Sequence, residues 1–198
     1  ATEDAVDTAS RLFREPSADE ATLLKRMRDL AATLTPRPDS KAQVLIEWLK
    51  ANIRPAGQWS DERVIIFTEY RATQNWLQER LALEGFIGGD RLLTLYGGMD
   101  SDRREQIKAA FQFDPKVSPV RILLATDAAS EGIDLQKYCS KLIHYEIPWN
   151  PNRMEQRNGR IDRHGQKALE VRIYHFVGAG YKQREKLAQD LPPGELEG

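Results

Sequence analysis

The sequence predicts an α/β domain of three layers, and three features predict it. Short apolar runs rich in β-branched residues recur along the chain, amphipathic stretches of roughly 10 to 15 residues separate them, and polar residues collect where the runs end. Runs that are apolar throughout suit strands of a parallel sheet covered on both faces, and ligands of such sheets gather at the carboxyl ends of the strands. Taken in order, residues 1–35 read as helical and charged: "DEATLLKRMRDLAATL" sets Leu23, Leu24, Met27 and Leu30 at helical spacing, and "TPRP" stops the helix. Residues 1–38 are therefore an N-terminal helical extension or linker. Asp39 and Ser40 can cap a second helix, "KAQVLIEWLKANI", whose Val44, Leu45, Trp48 and Leu49 form one apolar stripe, and "RPAGQWSDER" is a loop. Strand, helix, strand, helix, strand follow as "RVIIFTEY", "ATQNWLQERLALEG", "RLLTLYGG", "DSDRREQIKAAFQ" and "VRILLATDAA". The strand "SKLIHYEI", a helix opened by Asn150 and Pro151, and the strand "LEVRIYHFV" complete a domain over residues 39–178, leaving 179–198 as a C-terminal helix or tail.

At 198 residues and 40% hydrophobic content the chain can bury one ordinary core. Its 29 Lys+Arg against 30 Asp+Glu, a net charge of -1, exclude a global attraction to nucleic acid, so any such binding is local. The single cysteine, Cys139, excludes an internal disulfide and Cys-rich metal sites and fits a reducing, cytoplasmic setting; a small buried thiol is the expected role. No apolar run approaches the roughly 18 residues of a membrane span. The absence of an initial methionine and the ending "PPGELEG" suggest a piece of a longer chain. His144, His164 and His175 lack metal-ligand spacing, so no metal site is expected. Trp48, Trp76 and Trp149 stand in helical or strand-edge contexts typical of core, while Trp59 lies in a loop open to a partner.

Two stretches carry chemistry. In "ATDAASEGIDLQ" a buried strand emits Thr126 and Asp127, then small residues, then Glu131, Gly132 and Asp134. Small residues let backbone amides approach phosphate oxygens, and a carboxylate can accept from ribose hydroxyls, although any tight strand-to-helix turn has a similar composition. In "PWNPNRMEQRNGRIDRHGQ" four arginines fall within eleven positions, and Gln156, Arg160 and Arg163 share one helical face if the helix runs that far. Gly159 and Gly165 predict a helix end nearby, so the arginines sit on a tapering last turn. They lack acidic partners at i±4, and guanidinium groups held on a scaffold suit the spreading of charge from a phosphoryl group in its transition state.

These residues carry a resemblance. "QRNGRIDRHGQ" resembles motif VI of superfamily 2 helicases, "ATDAASEGIDLQ" resembles motif V, "VIIFTEY" motif IV and "LLTLYGGM" the segment called IVa, all in order over about residues 39–177. "PWNP", with Gly165 and Gln166 after the second arginine, is similar to the Snf2-like translocases.

The resemblance implies the second of two RecA-like lobes, each a three-layer α/β/α domain with a central, mainly parallel sheet. ATP, with Mg²⁺ held mainly by a first lobe of the same parent chain, would lie between the lobes, and nucleic acid, double-stranded DNA by the Snf2-like features, would run across both. No Gly-x-x-x-x-Gly-Lys-Ser/Thr loop occurs here, so this chain alone is expected to be an inactive part of a nucleic-acid-dependent ATP hydrolase. By the resemblance, Arg160 and Arg163 are arginine fingers, Gln156 links them to the nucleic-acid path, and Gly132 and Asp134 meet the nucleotide. Thr68, Glu69, Arg71, Gly97, Gly98, Thr126 and Asp127 lie nearer the nucleic-acid backbone. Asp162 stands where Snf2-like sequences usually have histidine, His164 where isoleucine is common, and "YKQRE" where a Thr-Ile-Glu-like stretch is usual, which favours a bacterial Snf2-like or related protein. A non-enzymatic RecA-like module binding nucleic acid or protein, and an RNA helicase lobe, stay open as alternatives.

Overall fold

The structure, a computed structural model, describes residues 16–34, 39–127 and 135–181. The chain divides into two compact units, residues 1–39 and 40–198.

In the first unit, helix α1 (Ala18–Leu34) opens on a reciprocal cap: the Ser17 amide donates to Glu20 Oε2 at 2.8 Å and the Glu20 amide to Ser17 Oγ at 3.3 Å. Its Leu23, Leu24, Met27 and Leu30 are all exposed.

The second unit is built on five parallel strands, β1 (Val64–Thr68), β2 (Leu92–Leu95), β3 (Ile122–Thr126), β4 (Lys141–His144) and β5 (Arg172–His175), in the spatial order β2-β3-β1-β4-β5. The five apolar runs form these five strands. Both central strands, β1 and β3, are buried at every position, because alternate side chains enter opposite layers: Val64, Ile66, Ile122 and Leu124 one, Ile65, Phe67, Leu123 and Ala125 the other. The first layer is closed by α2 (Ser40–Asn52) and α3 (Arg71–Leu83) through Leu45, Ile46, Leu49, Leu77 and Leu81. The second is closed by α4 (Ser101–Gln112) through Ile107 and Phe111, and by Ile161 after the short helix α5 (Pro151–Asn158). This is the three-layer α/β/α architecture.

Three sequence expectations change. The inward stripe of α2 is Ala42, Leu45, Ile46 and Leu49, while Val44 is 54% exposed: the helix turns about 100° per residue, and Ile46 rather than Val44 shares the face of Leu45 and Leu49. Trp149 is fully exposed instead of lying in the core, whereas Trp59 packs edge-on against Phe86 at 5.9 Å and joins the first layer. Among the described residues no helix is long and apolar enough to cross a membrane.

Candidate functional site

At the carboxyl ends of the strands a cleft of about 640 Å³ opens, lined by Glu69, Arg71, Tyr96, Gly97, Thr126, Asp127, Arg153, Gln156, Arg157 and Arg160. Its position follows from topology: β1, β2 and β3 all end on this side, and each emits polar residues as it leaves the sheet. After β1 the chain turns into α3, and Glu146 holds the turn: its carboxylate accepts from the Glu69 amide at 2.7 Å, the Tyr70 amide at 3.4 Å and the Thr73 hydroxyl at 3.0 Å. A carboxylate at the start of a helix also meets the positive end of the helix dipole. Arg71 is pre-oriented, with its guanidinium carbon 3.4 Å from the Tyr96 ring centroid and one nitrogen donating to Gln74 Oε1. Gln74 is itself buried and donates to the Leu95 and Leu124 carbonyls at 3.1 and 2.7 Å.

The other wall comes from α5. Asn150 caps it, accepting from the Asn152 amide at 2.9 Å, with Pro151 in the first turn. The helix ends at Asn158, where a Cβ on Gly159 would come within 3.3 Å of the Glu155 carbonyl, and the next bonds tighten to i−3: Arg160 to Arg157 at 3.0 Å and Ile161 to Asn158 at 3.1 Å. Ile161 is fully buried in the second layer and draws this turn inward.

Arg157 forms the floor of the cleft and is only 1% exposed. Its Nε and Nη2 donate to both carboxylate oxygens of Asp127, the latter at 2.8 Å, and Nη1 donates to the Glu146 carbonyl at 2.7 Å. The same Nη1 meets His144 Nδ1 at 3.3 Å. Arginine only donates, so Nδ1 is the acceptor and the opposite ring nitrogen, Nε2, donates to Asn158 Oδ1 at 2.9 Å: the ring is neutral. Burial lowers the pKa of His144 to about 4, and the positive charge of Arg157 acts in the same direction. The His175 ring stacks on it at 4.8 Å. Burial likewise pushes the Cys139 thiol up to about 12, which leaves it protonated and unreactive at neutral pH.

The cleft therefore combines residues that the sequence assigned to two roles. Gln156 and Arg160 stand in it together with Glu69, Arg71, Gly97, Thr126 and Asp127. Arg163 does not line it: with the helix ended at Asn158, the shared face stops at Arg160, and Arg163 is exposed beyond the buried Ile161. Gly98 adjoins the cleft at φ +77, a conformation that favours glycine. Thr68 is fully buried inside β1 with no hydrogen-bond partner for its hydroxyl. Gly132 and Asp134 lie outside the described residues. Sequence reasoning missed Arg157, Tyr96, Arg153 and Glu146. Arg157 had a signal, since Met154, Arg157 and Ile161 fall at i, i+3 and i+7 on an inward apolar face, where a charge requires a partner.

Arginines facing a cleft at strand ends suit an anionic ligand, and phosphate oxygens match the guanidinium fork. Known proteins agree with this fold. The helicase conserved C-terminal domain family matches residues 40–165. The chain is similar to an uncharacterized ATP-dependent helicase, YqhH, of Bacillus subtilis, 43% identical over 117 residues that cover 59% of this chain and 19% of that protein. It is also similar to the RNA polymerase-associated protein RapA of Photobacterium profundum, 30% identical with 71% and 13% covered, and to the SNF2 domain-containing protein CLASSY 3 of Arabidopsis thaliana, 30% identical with 86% and 11% covered. The chain thus spans about a fifth or less of the length of these relatives. In fold it resembles the C-terminal part of the Fun30 ATPase domain, with a TM-score of 0.59, 22% identity and coverage of 86% of this chain and 53% of the other. Escherichia coli SrmB, a DEAD-box protein, gives a TM-score of 0.51 at 22% identity, covering 77% and 79%. The chain belongs to the helicase conserved C-terminal domain family and is similar to Snf2-type relatives within it.

Proposed function

We propose that this chain is the C-terminal half of an ATP-dependent DNA translocase, incomplete alone, which supplies arginine fingers to ATP held by a first lobe of the same parent protein. The observation that carries the reading is the state of Arg160. Its Nε is buried and, among the described residues, has no hydrogen-bond partner, at the edge of a cleft where the neighbouring Arg157 is fully engaged with protein acceptors. A buried donor left unsatisfied costs about 1 to 3 kcal/mol, and a ligand oxygen removes that cost. Phosphate oxygens fit this donor set.

In this reading Arg160 and Arg163 draw charge from the transferring phosphoryl group, Gln156 links them to the nucleic-acid path, and Gly132 and Asp134 meet the nucleotide. Glu69, Arg71, Gly97, Gly98 and Thr126, with Thr68 and Asp127 beneath them, form the nucleic-acid wall. Contact through a few amides, hydroxyls and cations reads the backbone rather than the base sequence, which explains how a chain of net charge -1 engages DNA. ATP-dependent opening and closing of the two lobes then moves one of them along the duplex.

ATP turnover of the full-length protein with duplex DNA, single-stranded DNA, RNA or nothing added tests this. Duplex DNA is expected to stimulate turnover, and Arg160→Ala combined with Arg163→Ala to lower it by about 10³- to 10⁵-fold. Unchanged turnover in the double variant sinks the finger role, stimulation by RNA alone identifies an RNA helicase lobe, and no stimulation of the wild type leaves a binding module.

A further inference from the structure

We propose that Arg157 is a positioning residue that ties the finger-bearing turn to the opposite wall of the cleft, so that engagement of nucleic acid on one wall sets the aim of Arg160 on the other. The inference rests on the motor reading above and names its internal coupling.

Helix α5 has eight residues, too few to hold its place by its own hydrogen bonds. Three attachments hold it: the Asn150 cap at its start, Ile161 in the core beyond its end, and the guanidinium of Arg157 between them. The third spans three segments. Arg157 grips Asp127 at the end of β3 with two parallel bonds, the Glu146 carbonyl after β4 with a third, and His144 of β4 with a fourth. His144 returns the link to Asn158, the last residue of α5, which closes a ring of bonds around the helix end. Glu146 carries it onward, because its carboxylate fixes the Glu69 and Tyr70 amides and the Thr73 hydroxyl, the turn from which Arg71 projects.

A bidentate guanidinium–carboxylate pair tolerates little shear, and although Asp127 is partly exposed to the cleft, the buried Arg157 guanidinium can neither swing to water nor exchange partners cheaply. A displacement of Asp127 or of the Glu69 turn is therefore passed to Arg157, and the Arg157 carbonyl accepts the Arg160 amide at 3.0 Å. Arg157 is nearly completely buried and its donors face protein acceptors, so its role is to aim Arg160. Three side chains (Asp127, Arg157, Glu146) thus span walls that lie in separate stretches of sequence.

The test uses the full-length protein and three variants. Arg157→Lys keeps the charge and loses the fork. Asp127→Asn keeps the shape and loses the charge pair. Thr73→Val removes only the hydroxyl link to Glu146 and is isosteric, so it folds even if the others do not. For each, thermal unfolding, duplex affinity, the KM for ATP and the DNA-stimulated kcat are measured. The expected result is a fall in stimulated kcat of about 10²-fold for Arg157→Lys, somewhat less for Asp127→Asn and about 5-fold for Thr73→Val. The KM for ATP stays within about 3-fold in all three, and duplex affinity does so in Arg157→Lys and Thr73→Val. A purely structural role predicts lower unfolding temperatures with unchanged kcat per folded molecule, and that outcome overturns the proposal. Loss of duplex affinity in Arg157→Lys in proportion to the loss of kcat also overturns it, by making the network a binding surface. Absence of DNA stimulation in the wild type defeats the motor reading itself, whereas stimulation that survives intact in all three variants defeats only the role of Arg157.

Discussion

The two edges of the sheet both collect arginines, and they use them differently. At the amino edge each strand is preceded or begun by a cation: Arg63, Arg91, Arg121, Lys141 and Arg172. All five are engaged by protein. Arg63 donates to the Val120 carbonyl at 3.0 Å, the Phe113 carbonyl at 2.6 Å and the Phe111 carbonyl; Arg121 donates to the Pro115 and Ser118 carbonyls at 2.8 and 2.7 Å and pairs with Asp61 at 3.2 Å. Arg91 reaches the Pro119 carbonyl at 3.2 Å, Lys141 pairs with Glu62 and Arg172 with Glu170. Helices that cover a parallel sheet run back against its strands, so their carbonyl ends, with their partial negative charge, meet this edge. At the carboxyl edge the helices begin instead, with their amide ends. There Arg157 alone is fully engaged, while Arg71, Arg153 and Arg160 face the cleft. Location relative to helix polarity, rather than the number of arginines, separates those that hold the fold from those open to a ligand.

Breaking the amino edge gives the largest change in stability. Arg63→Met preserves much of the side-chain volume and removes the Arg63 donors from the carbonyls of Val120, Phe111 and Phe113, the first two on buried residues, for a loss of about 3 to 5 kcal/mol. Burial, and then the nearby Arg121 charge, lowers the pKa of Arg63 to about 10, so it is still charged at neutral pH and its bonds are charge-assisted. Urea unfolding monitored by fluorescence reads the change directly. A loss below about 1 kcal/mol would mean that water replaces the arginine and that this edge is not a structural one.

The carboxyl edge is distinguished by pH. His144 is neutral when folded, with its pKa lowered from 6.5 to about 4, so the unfolded chain binds the extra proton as pH falls below 6.5. Its contribution is full above pH 6.5 and is lost progressively down to about pH 4. Between pH 7 and pH 5 the loss amounts to about 2 kcal/mol, and at still lower pH to about 3 kcal/mol. Comparing urea midpoints at pH 7 and 5 for wild type and His144→Gln isolates it from the carboxylates. Equal acid sensitivity in the two proteins would show that His144 titrates normally in the folded state.

The sheet was legible because every strand is a local apolar run and every covering helix a local periodicity; neither requires knowledge of the partner. The cleft was half legible. Thr126, Gly97, Glu69, Arg71, Gln156 and Arg160 stand where strands or helices end, and motif order reveals such residues. Tyr96 was passed over because an aromatic after a strand reads as packing, and its use as a platform for Arg71 appears only when β2 and α3 are neighbours. Glu146 was passed over because its partners lie 73 to 77 residues earlier in the chain. Arg163 was grouped with Arg160 by a helical periodicity that the structure ends at Asn158. The helix end itself was legible in Gly159, whereas Tyr96 and Glu146 were not, because sequence periodicity carries no information about which distant segment supplies a side chain with its partner.

The smallest expected change in stability is the most informative about the difference between the edges. Arg160→Ala removes a half-buried stem, which costs some packing, and also removes a buried Nε that has no partner, which relieves a cost. The two effects oppose each other, and the net change is expected within about 0.5 kcal/mol, or slightly stabilising. Arg63→Met, with a comparable side chain removed from the other edge, loses several times more, because there Nε and Nη1 leave three carbonyl acceptors behind, although Nη2 is itself without a partner. Parallel urea titrations of the two variants measure the contrast. A stabilised or unchanged Arg160→Ala that has lost its turnover shows a residue held ready for a ligand at the expense of the fold, as expected where function rather than stability fixes the side chain. If Arg160→Ala instead unfolds as readily as Arg63→Met, Arg160 is a second structural arginine, and the cleft loses the group that most clearly marks it as a site for phosphate.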